Sequence, residues 1–523
     1  MPSKTLPANK TLVTDADSLK QKPAAAPSGA SVVAIGDLHG NALKLLHFLI
    51  KQGVADIAEQ DYQKFYDLYH TVPATQESMA AIKQLIDELQ IVDTTPFIRL
   101  IGDELADRGA NDFYTLYLLK KLDDNNVKFD INQSNHTMEF TLAHELNGIE
   151  KFESRLGPGQ ANSAVALRQS IESGVVSLDE VEQLINVHKK HQRIISYTLT
   201  DEGIALYSHA PIDVKIVKAL ADKFEVDYHD TTAELLAYTI EKINQKYIEV
   251  VQQNRLHKYI NPSVLCNPDH YPAAKYPIEH IVWSRNYRAI DRSVQPKGFD
   301  YQIGYVYGHD SGAPEAAKGD NIVCLDSLFG KEIVPGIEVE ECGDAVDCGY
   351  FGVFAVENPI LKDNGRCLSP ERVAILDQQR PDIIMLQQLK KLCENYRSHL
   401  ADYQEADDAL LRAKRGAIDH LINKLNDPQS SPRECVQNFK ADFNANKATL
   451  AQSRGSAPEW LTAFFRGIKL AFFKYVCQDQ SLADKTCFFR GSHGGLFNQT
   501  ISNKVEPLHD QEMQHGPRAV VAY

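Results

Sequence analysis

Up to about residue 358 the hydrophobic residues fall in short runs that stop at glycine or at a polar residue, and these runs alternate with stretches of helical spacing. Ser31-Val-Val-Ala-Ile35 reads as a buried strand closed by Gly36. Ala42, Leu43, Leu45, Leu46, Phe48 and Leu49 crowd the segment after Asn41, as in a helix laid on a sheet. Phe97-Ile-Arg-Leu-Ile101, ending at Gly102, predicts a second strand, and residues 112–122 a second helix. This alternation is the βαβ rhythm of an α/β fold. Residues 55–92 are polar with helical periodicity and predict an insertion over the sheet. Further β-prone runs lie at Val127–Ile131, Ile204–Tyr207, Ile281–Trp283 and Ile303–Tyr307.

The pattern changes after about Pro359. Leu386, Leu389, Cys393, Tyr396, Leu400 and Tyr403 recur by threes and fours, which predicts a helical hairpin or coiled-coil-like pair over 371–426. Asp427-Pro-Gln-Ser-Ser-Pro432 breaks it, and a further helix is predicted over 458–476. Its stripe of Trp460, Phe464, Ile468, Phe472 and Val476, interleaved with Arg466, Lys469 and Lys474, suits burial in a C-terminal core. A peripheral membrane or protein partner for this region is the other reading. The organisation expected is a flexible leader at 1–30, a catalytic domain at 31–358 and a mainly helical region at 359–523.

Composition narrows the function. The 523 residues carry a net charge of −15, which argues against a nonspecific nucleic-acid binder, because phosphate backbones reward clustered lysine and arginine. An enzyme acting on phosphate esters would have to concentrate positive charge locally, through metals and a few arginines. The nine cysteines include no C-x-x-C pair and are odd in number, so a reducing, cytoplasmic compartment and free thiols are expected, Cys342 and Cys348 included. The leader lacks the apolar stretch of a cleaved signal, and no run reaches the ~18 apolar residues of a membrane span.

The candidate chemistry sits where the strands end, since open α/β sheets place ligands beyond the carboxyl ends of their strands. Ile35 leads into Gly36-Asp37-Leu38-His39-Gly40, and Ile101 into Gly102-Asp103-Glu104-Leu105-Ala106-Asp107-Arg108-Gly109. The Ile131 strand leads to Asn135-His136, Tyr207 to Ser208-His209, and Tyr307 to Gly308-His309. An oxygen-and-nitrogen donor set of this kind suits manganese, iron or zinc better than thiolate-seeking ions. Two such ions about 3.5–4 Å apart, bridged by a carboxylate, can clamp the attacking and leaving oxygens of a phosphoryl transfer. The segment Gly491-Ser-His493-Gly-Gly495 lacks the strand and Lys-Ser/Thr context of a phosphate loop and reads as a turn.

Taken in order, G-D-x-H-G at Asp37, D-R-G at Asp107, Asn135-His136, His209 and Gly308-His309 resemble the signature of the phosphoprotein phosphatase (PPP) family of calcineurin-like metallophosphoesterases over residues 30–335. Ser208-His209-Ala210-Pro211 and Trp283-Ser-Arg285 look closer to its bacterial and phage members. The resemblance implies a β-sandwich flanked by helices. It implies that Asp37 and His39 hold one divalent metal, that Asp103 bridges, and that Asn135, His209 and His309 hold a second, manganese for preference. Arg108 and Arg285 would bind the phosphate, His136 would protonate the leaving oxygen, and Asp107 would orient His136. The reaction implied is hydrolysis of phosphomonoesters on phosphoprotein substrates by direct attack of a metal-bound hydroxide, phosphoserine and phosphothreonine favoured and phosphotyrosine open. The long helical arm is similar to that of the Wip phosphatases secreted by Legionella, which implies a bacterial effector delivered into a host cytoplasm. A dinucleoside polyphosphate hydrolase, or an inactive adaptor with a partner-binding arm, are the alternatives.

Three departures from the family pattern bear on these roles. Glu104, Leu105 and Ala106 put three residues where two usually separate the aspartates. Thr137 stands where the family has a glutamate, with Glu139 the candidate replacement. The arginine near Trp283 is assigned to Arg285 on the W-x-R spacing, with Arg288 and Arg292 as the alternatives.

Overall fold

The computed structural model describes residues 19–27, 29–71, 73–156, 159–286, 290–309, 321–326, 350–352, 365–401, 409–427, 429–452, 461, 463–468 and 471. Cys342, Cys348, Arg288 and the Gly491 turn lie outside them. The chain divides into two compact units after Leu368.

The first unit begins with β1 (Val32–Ile35) and α1 (Ala42–Lys51). All four residues of β1 are buried, as befits a strand covered on both faces. Asn41 caps α1 by accepting from Lys44 N at 3.0 Å, which satisfies one of the helix's orphan donors. The insertion forms β2 (Ala55–Asp56), α2 (Glu59–Tyr69), α3 (Gln76–Glu88) and β3 (Gln90–Ile91), with β2 and β3 pairing as a separate two-stranded ribbon. Ahead of β1, the Tyr62 hydroxyl of α2 donates to Leu19 O at 2.7 Å, and Leu19 is buried.

β4 (Phe97–Leu100), α4 (Asp112–Asp124), β5 (Phe129–Asn132) and α5 (Asn135–Asn147) follow, then α6 (Asn162–Glu172), α7 (Leu178–His191) and β6 (Gln192–Arg193). β7 (Ser196–Leu199) and β8 (Gly203–Ser208) form a hairpin ahead of α8 (Lys215–Lys223), α9 (Ala233–Gln252), α10 (Pro277–Trp283), β9 (Gln302–Tyr307), β10 (Ile322–Cys324) and β11 (Tyr350–Gly352). One sheet has the order β11-β1-β4-β5-β6 and the other β10-β9-β8-β7. The α/β class expected from the sequence is the class observed.

One β-prone run is corrected by the structure. Residues 281–283 close helix α10 instead of forming a strand. Pro277 opens that helix, where its missing N–H costs nothing, and Ile278, Ile281 and Val282 fall at helical spacing on a buried face.

Arg99 is the unusual member of the core. It is 1% exposed on β4 and bonds Asp130 of β5 through Nε at 3.0 Å and Thr198 of β7 through Nη1 at 3.0 Å. Its guanidinium carbon lies 4.3 Å from the centroid of the Tyr207 ring.

The second unit contains α11 (Pro370–Gln378), α12 (Arg380–Ala401), α13 (Ala409–Leu425) and α14 (Pro432–Ala451). The stripe of Leu386, Leu389, Cys393, Tyr396 and Leu400 is buried along α12. Residues 461, 463–468 and 471 are helical, with Phe464 and Ile468 buried and the Phe464 ring 4.2 Å from that of Tyr396. Among the described residues no helix is long and apolar enough to cross a membrane.

Candidate active site

Parallel pairing sets the strand ends side by side. Ile35 aligns with Leu100, Leu100 with Ile131, and across the second sheet Ser208 aligns with Tyr307. The polar residues that follow these strands therefore leave the two sheets at one rim. The loops are stitched together there: Gly40 N donates to Asp103 O at 2.7 Å and Gly109 N to His39 O at 2.9 Å. A Cβ on Gly109 would fall 1.7 Å from Gly40 O, so only glycine allows this approach. His39, Asp103, Ala106 and His309 take positive φ of 57°, 52°, 55° and 77°. Left-handed backbone at non-glycine residues costs energy and marks turns that the surroundings hold in place.

The donor atoms converge. Asp37, Asp103 and His209 offer atoms all within 4.8 Å of one another, as do His39, Asp103 and Asp107, and Asp37, His39 and Asp326. His209 Nε2 lies 2.6 Å from Asn135 Oδ1 and 3.1 Å from His309 Nδ1. The other nitrogen of His209 is 3.2 Å from the carbonyl oxygen of Ile101, so Nδ1 donates there and Nε2 keeps its lone pair for the cluster. His309 N donates to Asp37 Oδ2 at 3.0 Å. All six residues read from the sequence as ligands thus surround one buried space.

Electrostatics in this space favour a cation. Burial, then the neighbouring carboxylates of Asp326 and Asp103, push Asp37 well above the ordinary carboxylate range. Burial, then His209 and Arg285, hold His309 well below the usual imidazole range, and burial lowers His209 too. Asp103 Oδ1 and His309 Nε2 are buried and meet no hydrogen-bond partner. Carboxylates crowded together, neutral imidazoles and orphaned acceptors fit divalent metals, which would supply the missing positive charge.

The remaining candidates border the cluster. His136, at the first turn of α5, donates from Nδ1 to Ala106 O at 2.7 Å, and its Nε2 is 3.8 Å from Asp107 Oδ1. Burial opposes the charge on His136, but Asp107, Asp103 and the Ala106 carbonyl outweigh it and raise its pKa. Burial also opposes the charge on Asp107, yet His136, His39 and Arg108 hold it far below the usual range. Asp107 reaches His39 Nδ1 at 3.3 Å and Arg108 Nη1 at 2.7 Å. Arg108 is held a second time by Gln160 Oε1 at 2.6 Å. Arg285 is exposed, stacks 5.4 Å from the Trp283 ring, and is anchored through its backbone N to Asp269 Oδ2 at 2.9 Å. The Trp283 ring meets the His309 ring edge-on at 5.5 Å.

His136 is held at two points: Nδ1 donates to the carbonyl of Ala106 at 2.7 Å, and Nε2 faces the Asp107 carboxylate at 3.8 Å. Glu139, the candidate for the family glutamate's place, accepts from Arg155 N, and Glu104 is the carboxylate that meets Thr137, at 2.9 Å. Asp326 is absent from the sequence reading. It closes the run Ile322-Val-Cys-Leu325, the same strand-then-aspartate pattern that marks Asp37 and Asp103, and lies 3.5 Å from His39 Nε2.

Two sheets delivering aspartates, an asparagine and histidines to one rim, with arginines beside them, define a protein of the phosphoprotein phosphatase class. A family model described as WipA-like, phosphatase domain, matches residues 97–331, a span that starts after Asp37 and His39 and includes the other candidates. The chain is similar, at 32% identity, to the phosphatase domain from the Legionella effector WipB, over 55% of this chain and 100% of that one, with a TM-score of 0.49. No curated protein sequence matches it. With that identity sustained along the whole of the WipB domain, the chain belongs to the Wip-type phosphatases of the PPP family.

Proposed function

We propose that this protein is a metal-dependent phosphoprotein phosphatase that hydrolyses phosphomonoesters on protein side chains, phosphoserine and phosphothreonine before phosphotyrosine. The observation that carries the proposal is the convergence of Asp37, His39, Asp103, Asn135, His209 and His309 on one buried space containing orphaned acceptors. Two divalent ions bound there, manganese for preference, would supply Lewis acidity and a nucleophile at neutral pH. The chain's own residues do the rest. Arg108 and Arg285 present planar guanidinium groups suited to nonbridging phosphate oxygens. His136, oriented by Ala106, stands ready to give a proton to the leaving oxygen, and the Asp107 carboxylate favours its charged form. Similarity to a Legionella effector supports action on host proteins after delivery into a host cell.

The test is hydrolysis of matched phosphoserine, phosphothreonine and phosphotyrosine peptides by the purified full chain with manganese. Turnover that requires the metal and is lost in Asp103→Ala is expected. Turnover that survives chelation, or is unchanged in Asp103→Ala, removes the proposal. A phosphotyrosine peptide as the best substrate corrects the specificity alone.

A further inference from the structure

Behind the candidate cluster lies a chain of polar side chains to which neither the ligand set nor the phosphate-binding pair gives a role. Glu104, Ser134, Thr137, His188 and Gln192 are each at most 1% exposed. A carboxylate so deeply buried is sustained only if its oxygens are met by donors. The donors are specific. Gln192 Nε2 donates to His188 Nδ1 at 3.1 Å, which leaves the ring proton on Nε2, and that nitrogen donates to Glu104 Oε1 at 2.7 Å. Thr137 Oγ1 donates to Glu104 at 2.9 Å and accepts from Ser134 Oγ at 2.8 Å. Ser134 Oγ in turn accepts from Asp103 N at 2.9 Å and from Thr137 N at 3.1 Å. Each hydroxyl is used once as donor and at least once as acceptor.

The two ends of this chain explain its place. One end holds the backbone of Asp103, a non-glycine residue in the left-handed region that needs an external restraint. The middle is the N-terminal turn of α5: Ser134 is its N-cap, and Asn135, His136 and Thr137 are its first three residues. In the usual capping box the third helical residue is a glutamate or glutamine that reaches back to the cap. Here the Thr137 hydroxyl instead accepts from the cap's own side chain and donates to Glu104, whose carboxylate comes from the loop after β4. Glu104 thus ties the loop after β4 to the first turn of α5, and is itself anchored on α7 by His188.

We infer that Glu104, Thr137 and His188 are positioning residues that brace the Asp103 turn against the first turn of α5, fixing the bridging carboxylate relative to Asn135 and His136. The inference rests on the proposed roles of those three residues. Groups that orient metal-binding side chains from behind characteristically change metal affinity or activity about 10- to 100-fold when removed.

The experiment compares the full chain with Thr137→Val, which keeps the shape and loses the hydroxyl, and with Thr137→Ser, which restores it. Manganese affinity is measured by calorimetry, and kcat and KM with p-nitrophenyl phosphate. Thr137→Val is expected to weaken manganese binding and lower kcat, each by about 10- to 100-fold, with KM unchanged because the arginines are untouched. Thr137→Ser is expected to recover both. Should Thr137→Val not fold, Glu104→Gln is read by the same measurements, with the same losses expected. A folded Thr137→Val or Glu104→Gln with wild-type affinity and kcat overturns the brace, as does a Thr137→Ser as impaired as Thr137→Val. A wild-type protein that neither binds manganese nor hydrolyses the ester overturns the ligand assignment and the brace together.

Discussion

His136 donates from Nδ1 to the carbonyl oxygen of Ala106 at 2.7 Å, leaving Nε2 as the nitrogen available to a substrate. A carbonyl cannot accept a proton in place of the imidazole, so this contact fixes the ring without competing for its charge. If His136 protonates the leaving oxygen, its value depends on how basic that oxygen is. His136→Asn should lower kcat on a phosphoserine peptide by about 10²- to 10⁴-fold, with KM little changed. The loss on p-nitrophenyl phosphate should be much smaller, because nitrophenolate leaves without a proton. Equal losses on both substrates would assign His136 a binding role instead of an acid one.

The crowding of Asp37, Asp103 and Asp326 predicts that metal stabilises the fold as well as the reaction. A ligand that binds only the native state adds about 2.7 kcal/mol at a hundred times its Kd. Manganese should therefore raise the Tm of the first unit's unfolding transition by several degrees, and chelation should reverse it. Asp103→Ala should abolish the shift. A Tm indifferent to both manganese and chelator would be inconsistent with cations at this site.

Much of this centre is legible in the sequence because strands ending in Asp37, Asp103, His209 and His309 carry their function at a local boundary, visible as an apolar run that stops. What escapes is pairing across distance. Glu104 meets Thr137 across 33 positions and His188 across 84, and no periodicity announces either contact. Glu139 is the nearer candidate in sequence, yet it accepts from Arg155, 16 positions on. The run Ile281–Trp283 misleads for a related reason: three apolar β-prone residues fit a strand or the end of a buried helix equally well, and Pro277 and Ile278 upstream decide it. Asp326 follows the same strand-then-aspartate pattern, after a strand of only three residues.

Arg99 and Asp130 offer a test of how the sandwich is held together. The guanidinium is fully desolvated but bonded to Asp130 and Thr198 and set over Tyr207, so each charge depends on the other. Arg99→Met leaves Asp130 buried without its cation, at a cost of about 3–5 kcal/mol. Arg99→Met combined with Asp130→Leu removes both charges and should cost markedly less, because an apolar pair of similar volume suits the same space. Urea midpoints of the two single variants and the double give the coupling. Additive losses would show that the two side chains do not act as a pair.

His47 gives the fold a pH dependence of definite sign. It lies on the buried face of α1, and burial, then Lys51, lower its pKa from 6.5 to about 4. The native state therefore binds fewer protons at this residue than the unfolded state does between those values. Stability from His47 is fully present above pH 6.5 and is lost as the pH falls toward 4, by up to about 3 kcal/mol. Buried carboxylates titrate in the same range, so the decisive quantity is the difference between wild type and His47→Gln, which carries no charge at any of these pH values. The variant should lose less stability than wild type between pH 7 and pH 4.5, measured by urea denaturation with manganese absent. Parallel stability curves for the two proteins would mean that His47 is protonated in the folded state as readily as in the unfolded one.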